Sequence, residues 1–272
     1  MSRPWCMVVL AVLIVMLVVA LTPYLWLIMT SLKSRLDALA DHPVWLFTPT
    51  FEHYPKIFID KGYLPLLMNS AVVATGSTLI SLVVGVPAAY VFARHDFPGK
   101  EDLFFFFLTT RMAPPISVVV PMFLMFTAVG LIDTRLSVIL AHSTFNLSLV
   151  VWMMRGFFAD IPREIDEAAQ MDGHTRAGMF LHVLMPLAAP GMAATAVLCF
   201  ILSWNEFLYA FILVAFEGRT LTVGIPGLVT PHGTLWGQVA AVAVVATIPI
   251  VVFTFLVQRH LVRGLTFGAV KG

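Results

Sequence analysis

An apolar run from Cys6 to Met29 is long enough, at 1.5 Å of helical rise per residue, to cross a hydrocarbon core of roughly 30 Å. Runs of the same kind recur to the end of the chain. They place spans at about 6–29, 65–92, 103–131, 136–154, 191–214 and 237–257. The reading is an all-α polytopic membrane protein with six transmembrane helices, a single domain over residues 1–272. The first run is longer than the apolar part of a signal peptide and lacks a small-residue cleavage site, so it reads as an uncleaved span.

Composition agrees: 60% of the 272 residues are hydrophobic and 11% charged, against roughly 25% charged in a soluble domain. The net charge of +1 and the lack of a basic run with interleaved aromatics give no sign of nucleic-acid binding. Cys6 and Cys199 lie far apart inside apolar runs and read as packing residues. The eight histidines show no ligand spacing, so no metal site is expected, and His174 and His182 read as surface or packing residues. No phosphate loop, H-E-x-x-H or G-x-S-x-G occurs, so neither ATP hydrolysis nor another catalytic centre is expected on this chain.

The spans carry polar residues whose burial in lipid needs a reason. Asn69, Ser70, Thr75, Ser77 and Thr78 lie in the second, and His142, Ser143, Thr144 and Asn146 cluster in the fourth. The third contains Arg111, Pro114, Pro115 and Pro121, so it cannot be a regular helix, because each proline removes an amide donor. The fifth carries Ser203-Trp204-Asn205-Glu206. Asn69, Asn146, Trp204, Asn205 and Glu206 form a candidate substrate pathway, with amides and a carboxylate that can hydrogen-bond hydroxyls and, at Trp204, an apolar ring face. The same residues also suit interhelical hydrogen bonding, and Glu206 suits a pair with Arg111 or with a partner chain.

Residues 155–190 form a polar island between two spans. Asp160 suits an N-cap, Pro162 a first turn, and Glu164, Asp166 and Glu167 a helix N-terminus, while Asp172-Gly173 suits a C-terminal stop. Ile165, Ala168, Ala169 and Asp172, at i, i+3, i+4 and i+7, are expected on one face, small enough in its middle for another surface to approach.

Glu167-Ala168-Ala169, Asp172-Gly173, Phe180 and Leu184-Met185-Pro186 resemble the EAA loop of the membrane subunits of binding-protein-dependent ABC importers. Asn69-Ser70, A-Y-V-F-A-R at Ala89 to Arg94, R-M-A-P-P at Arg111 to Pro115, G-L-I-D-T at Gly130 to Thr134 and W-N-E-F at Trp204 to Phe207 are similar to its carbohydrate branch, and more narrowly to the second permease of maltose-type systems. His174 departs from the pattern, standing where alanine is common.

The resemblance implies a type I importer permease fold with a cytoplasmic coupling helix. Glu167, Ala168, Ala169, Asp172 and Gly173 would dock on an ATPase, and Pro186 would set the return into the fifth span. The implied partners are a second homologous permease, two copies of a cytoplasmic ATPase that carry the ATP and Mg²⁺, an extracytoplasmic solute-binding protein, the bilayer and a sugar or sugar alcohol.

Six spans put both termini on one side. Taking that side as cytoplasmic gathers Arg3, Arg94, Lys100, Arg155, Arg163, Arg176, Arg259, Arg263 and Lys271 there. Lys33, Arg35, Lys56, Lys61, Arg135 and Arg219 fall outside, a balance in the sense of the positive-inside rule. The alternative from another class is a stand-alone carrier coupled to protons through Glu206. Such a carrier often shows two similar halves and a carboxylate pair at midplane, and the sequence has neither. An intramembrane enzyme would need a nucleophile paired with a base, and no such pairing is evident.

Overall fold

A computed structural model describes residues 3–231 and 233–267. Lys271 lies outside the described residues, as do the side chains of Arg3, Cys6, Arg259 and Arg263. In chain order the helices are α1 (Arg3–Leu32), α2 (Arg35–Ala38), α3 (His53–Pro55), α4 (Tyr63–Arg94), α5 (Lys100–Thr109), α6 (Pro115–Ala128) and α7 (Arg135–Asp160). They continue as α8 (Arg163–Met171), α9 (Arg176–Met179), α10 (Met185–Asn205), α11 (Leu208–Leu213), α12 (Leu221–Gly224) and α13 (Trp236–Phe267). Five helical stretches among the described residues are long and apolar enough to cross a membrane.

The third expected span is two helices rather than one. Pro115 pushes the residue before it out of the helical region, and Pro114 is extended at ψ 129. Residues 110–114 therefore form a break, and the 14 residues of α6 reach only about 21 Å. The fifth expected span also differs from its predicted bounds. Helix α10 starts at Met185, with Pro186 in its first turn, and ends at Asn205, before a break at Glu206-Phe207 and the short α11. Helix α7 runs on to Asp160, six residues past the expected end of the fourth span at Met154, so Asp160 closes α7 instead of capping the next helix.

The chain divides into two compact units, residues 1–65 with 224–249, and residues 66–223 with 250–272. In the first, α1 is apolar on all sides and exposed along nearly its whole length, the pattern of a helix surrounded by lipid. The connection after it is built around Lys33, only 2% exposed, whose ammonium lies 4.5 Å from the centre of the Trp26 ring. The Lys33 carbonyl accepts from His53 Nε2 at 2.8 Å, and the Tyr63 hydroxyl donates to the Gly224 carbonyl at 2.6 Å. Gly237 packs flat on the His53 ring, where a Cβ has no room. A short hairpin pairs Val229–Thr230 with Gly233–Thr234.

In the second unit α4, α7 and α10 form the core. Glycines permit the close approaches: a Cβ at Gly85 of α4 would come within 2.7 Å of Val150 of α7, and one at Gly191 of α10 would strike the Phe157 ring. One apolar cluster joins Val86, Tyr90, Met154, Phe158, Leu184 and Ala188. A second gathers Val73, Val119, Val138, Tyr209 and Leu213.

The turn before α7 is held by Asp133, a non-glycine residue at φ 62, in the left-handed region that aspartate tolerates. Its Oδ1 accepts from the backbone amides of Ala215, Phe216 and Glu217 at 2.9, 2.8 and 3.2 Å. Those bonds, led by the one from Phe216, hold the carboxyl below its ordinary 3.8. A folded value below the unfolded one means that the contribution is complete above about pH 4 and is lost as pH falls through the folded value. Hydrogen exchange should show the amides of residues 215–217 protected at neutral pH. In Asp133→Ala, which loses the acceptor and strains the turn, they should exchange at least about fivefold faster. Unchanged protection would remove the clamp from the account.

Candidate functional site

Helix α8 is the expected coupling element. Its N-cap position is Pro162, which offers no side-chain acceptor, and Glu164 and Asp166 occupy the first turn, where carboxylates complement the positive helix end. Its C-terminus closes by a Schellman arrangement: Gly173, at φ 85, donates to the Gln170 carbonyl at 3.0 Å, and His174 N donates to Ala169 at 3.1 Å.

The two faces are distributed differently from the expected stripe. Asp166 and Ala169 are buried and Ile165 is half-buried, whereas Glu167, Ala168, Gln170, Met171 and Asp172 are exposed. Of the four residues predicted to share a docking face, Ile165 and Ala169 therefore serve inward packing. Ala169 joins the cluster of Met154, Phe158, Met179 and Leu184. The free face presents Glu167 and Ala168.

Asp166 is the residue that sequence reasoning underused. Its Oδ2 lies 2.7 Å from Nε of Arg94, the last residue of α4, with both side chains largely buried. The contact is an ion pair by distance and off line for a hydrogen bond, and Asp166 Oδ1 has no hydrogen-bond partner. Arg94 Nη2 also donates to the Ile161 carbonyl at 2.8 Å, just ahead of α8. A spanning helix is thus tied by one guanidinium to both ends of the entry into α8. Beneath it the Tyr90 ring contacts Phe158 at 5.7 Å and Phe180 at 5.0 Å. His174 and His182, both exposed, lie with near-parallel rings 6.4 Å apart. Among the described residues no three His, Cys, Asp or Glu side chains gather as metal ligands.

The residues singled out in the spans meet in a different network from the one anticipated. Glu206 pairs with His142, whose Nε2 lies 3.1 Å from Oε2, and Arg111 is exposed. A carboxylate only accepts, so Nε2 carries the proton, and in the neutral ring Nδ1 accepts from the Ser203 hydroxyl at 2.6 Å. Ser203 reaches Ser77 of α4 at 2.9 Å. The Glu206 carboxylate also accepts from the amides of Leu208 at 2.7 Å and Tyr209 at 3.1 Å, closing the open N-terminus of α11. Four helices, α4, α7, α10 and α11, are joined through one side-chain chain.

Asn69 donates from Nδ2 to the carbonyls of Glu217 and Arg219, both at 2.9 Å, and Ser70 accepts from Leu221 N at 2.8 Å. These two residues fix the loop before α12. Asn205 bonds back to the Ile201 carbonyl of its own helix at 2.8 Å. Trp204 is buried and stacked on Phe200 at 5.5 Å. Asn146 is completely buried, with both ends of its amide lacking a protein partner.

The sequence pattern of the family described as "Binding-protein-dependent transport system inner membrane component" matches residues 81–267, which hold α8, the Arg94–Asp166 pair and the Glu206–His142 pair. The chain is 41% identical over 256 residues to the trehalose transport system permease protein SugB of Mycobacterium tuberculosis, covering 93% of each. It is 33% identical over 263 residues to the trehalose/maltose transport system permease protein MalG of Thermococcus litoralis, covering 95% of this chain and 94% of that one. In fold it aligns with a TM-score of 0.78 and 24% identity to a chain of a bacterial ABC transporter involved in the import of the acidic polysaccharide alginate, over 96% of this chain and 99% of that one. A multi-pass helical chain that carries an exposed Glu167-Ala168 on a short helix seated against its spanning bundle, and that matches this pattern over most of its length, belongs to the family of binding-protein-dependent transport system inner membrane components.

Proposed function

We propose that this chain is the translocation subunit of an ATP-driven importer for a sugar or sugar alcohol, with α8 as the coupling helix. The observation that carries the reading is the two-sided construction of α8. Asp166 on its inner side is paired with Arg94 at the end of a spanning helix, while Glu167, its neighbour in sequence, is free on the outer side. A partner that grips Glu167 therefore pulls on α4 through one ion pair. The relatives whose names include trehalose and maltose support the substrate class.

In this reading the chain pairs with a second, homologous permease. Two ATPase subunits carry ATP and its Mg²⁺, and an external binding protein delivers the solute. Both termini, the turn at 95–99 and α8 face the cytoplasm. Closure of the ATPase pair tilts α8 and switches the solute path between the two permeases from inward-facing to outward-facing. The proton-carrier alternative is weakened by the state of Glu206, whose oxygens are already engaged by backbone amides and His142.

Charge reversal at the exposed position tests the docking. Glu167→Lys should insert and fold as wild type, because the side chain is solvent-facing. ATPase co-purification and ATP-dependent sugar uptake should each fall at least about tenfold, the effect of about 1.4 kcal/mol. Full uptake in this variant would refute Glu167 as a docking residue.

A further inference from the structure

We propose that Arg111, in the break between α5 and α6, lines a water-filled solute path near the middle of the membrane and binds oxygen acceptors of the solute there. The inference deepens the importer reading and rests on it for the existence of a solute path.

Residues 110–114 interrupt the third span at mid-depth. Helix α5 leaves the charged turn at Lys100, and its ten residues carry the chain about 15 Å inward. Thr110 then fixes the break against α7. Its hydroxyl donates to the Phe107 carbonyl at 2.7 Å, and so accepts from the Ser148 hydroxyl at 2.8 Å. Ser148 stands near the middle of the 26 residues of α7, a second measure of the same depth.

The break lies open on the surface of this chain. Arg111 is exposed, and its neighbour Met112 is 80% exposed. Among the described residues the Arg111 guanidinium makes no ion pair or hydrogen bond, and Glu206 is already engaged by His142 and backbone amides. On either side the exposed side chains are apolar: Phe105 and Phe106 on α5, Ile116 and Val120 on α6. A charge at this depth is strongly disfavoured in lipid. A lipid-facing arginine can snorkel towards the headgroups. The irregular backbone of 110–114, which Pro114 leaves short of an amide, has no such escape, so the face meets water or protein.

Closing a guanidinium against a second chain demands a buried anion of matched geometry. A water-filled path instead keeps it solvated when empty and offers its N–H groups to the solute when loaded. In transporters, discontinuous helices near the midplane often form the solute site. Five N–H donors and no acceptor select oxygen-rich ligands, the hydroxyls of a sugar or polyol or the carboxylate of an acidic sugar, and the fixed charge turns cationic groups away.

The test uses the co-expressed complex in lipid vesicles, with Cys6 and Cys199, the two cysteines of this chain, replaced by alanine. Met112→Cys is treated on both sides with an anionic and a cationic methanethiosulfonate, in the resting complex and in one trapped with ATP and vanadate. Modification of this chain is followed by mass. Both reagents should react in at least one state. Relative to their rates with a free thiol, the anionic one should be about fivefold faster, and Arg111→Gln should bring the two rates together. Trehalose uptake should fall at least about tenfold in Arg111→Leu and clearly less in Arg111→Gln, which keeps N–H donors. No modification in either state, equal relative rates with Arg111 in place, or equal uptake in the two Arg111 variants would overturn the site. Modification in the isolated chain but not in the complex would overturn it too, giving this face to a second permease. Any of these results in a complex that still imports trehalose with ATP removes this site alone. Uptake that needs no ATPase removes the importer reading and leaves a charged, water-filled path.

Discussion

Arg94→Ala is expected to lower the melting temperature of the detergent-solubilised chain and to abolish sugar uptake. The variant strands Asp166, whose Oδ1 already lacks a hydrogen-bond partner, beside a guanidinium that is no longer there. Removing one member of a buried pair costs about 3 kcal/mol or more, because the remaining charge is left unmet in a poorly polarisable site. It also frees the Ile161 carbonyl and so loosens both the entry to α8 and its inner face. Replacing both partners, Arg94→Leu with Asp166→Leu, should recover most of the stability, since apolar groups need no partner. Uptake should stay low, because the link from α8 to α4 is gone. Arg94→Ala with wild-type melting and uptake would show that the pair neither stabilises nor couples.

Glu206→Ala should be the most damaging single change in the spans. The carboxylate closes the N-terminus of α11 and anchors His142. Losing the cap costs about 1 kcal/mol and leaving the imidazole donor unmet about 1–3 more, in a setting where water cannot take over. Glu206→Gln keeps one acceptor oxygen for the amides, so its melting temperature should lie between those of wild type and Glu206→Ala. The uptake of Glu206→Gln separates two roles. A structural carboxylate leaves uptake largely intact in this variant, whereas a proton-coupled one loses it altogether.

Much of the architecture was legible because its cause is local. Apolar runs mark the spanning helices, and the Pro114-Pro115 pair marks the break in the third. Gly173 ends α8 where a left-handed residue is needed. What could not be read depended on approach between distant segments. Asp160 looks like a helix cap, yet the packing of Phe157 and Phe158 against the neighbouring helices carries α7 past them to its end. The break at Glu206-Phe207 has no proline or glycine to announce it. It is held by a carboxylate that meets His142 only because α7 and α10 pack together.

The candidate site was half legible. The E-A-A pattern located α8, and its burial divided the residues differently, turning Ala169 inward and leaving Glu167 and Ala168 outward. A basic residue closing one span and an acidic one beside Glu167 were available signals for the Arg94–Asp166 pair. Their pairing needed the fold to bring α4 beneath α8. Asn69, read as a pathway residue, is engaged by the carbonyls of Glu217 and Arg219, a loop contact that spacing cannot foresee.

The most direct test of the central claim is radiolabelled trehalose uptake into vesicles carrying the co-expressed importer complex, with and without its ATPase subunits and with ATP supplied on the cytoplasmic side. The account predicts uptake only when ATPase and ATP are both present, and its loss in Glu167→Lys. Uptake that continues without the ATPase, follows an imposed proton gradient and stops in Glu206→Gln would contradict it.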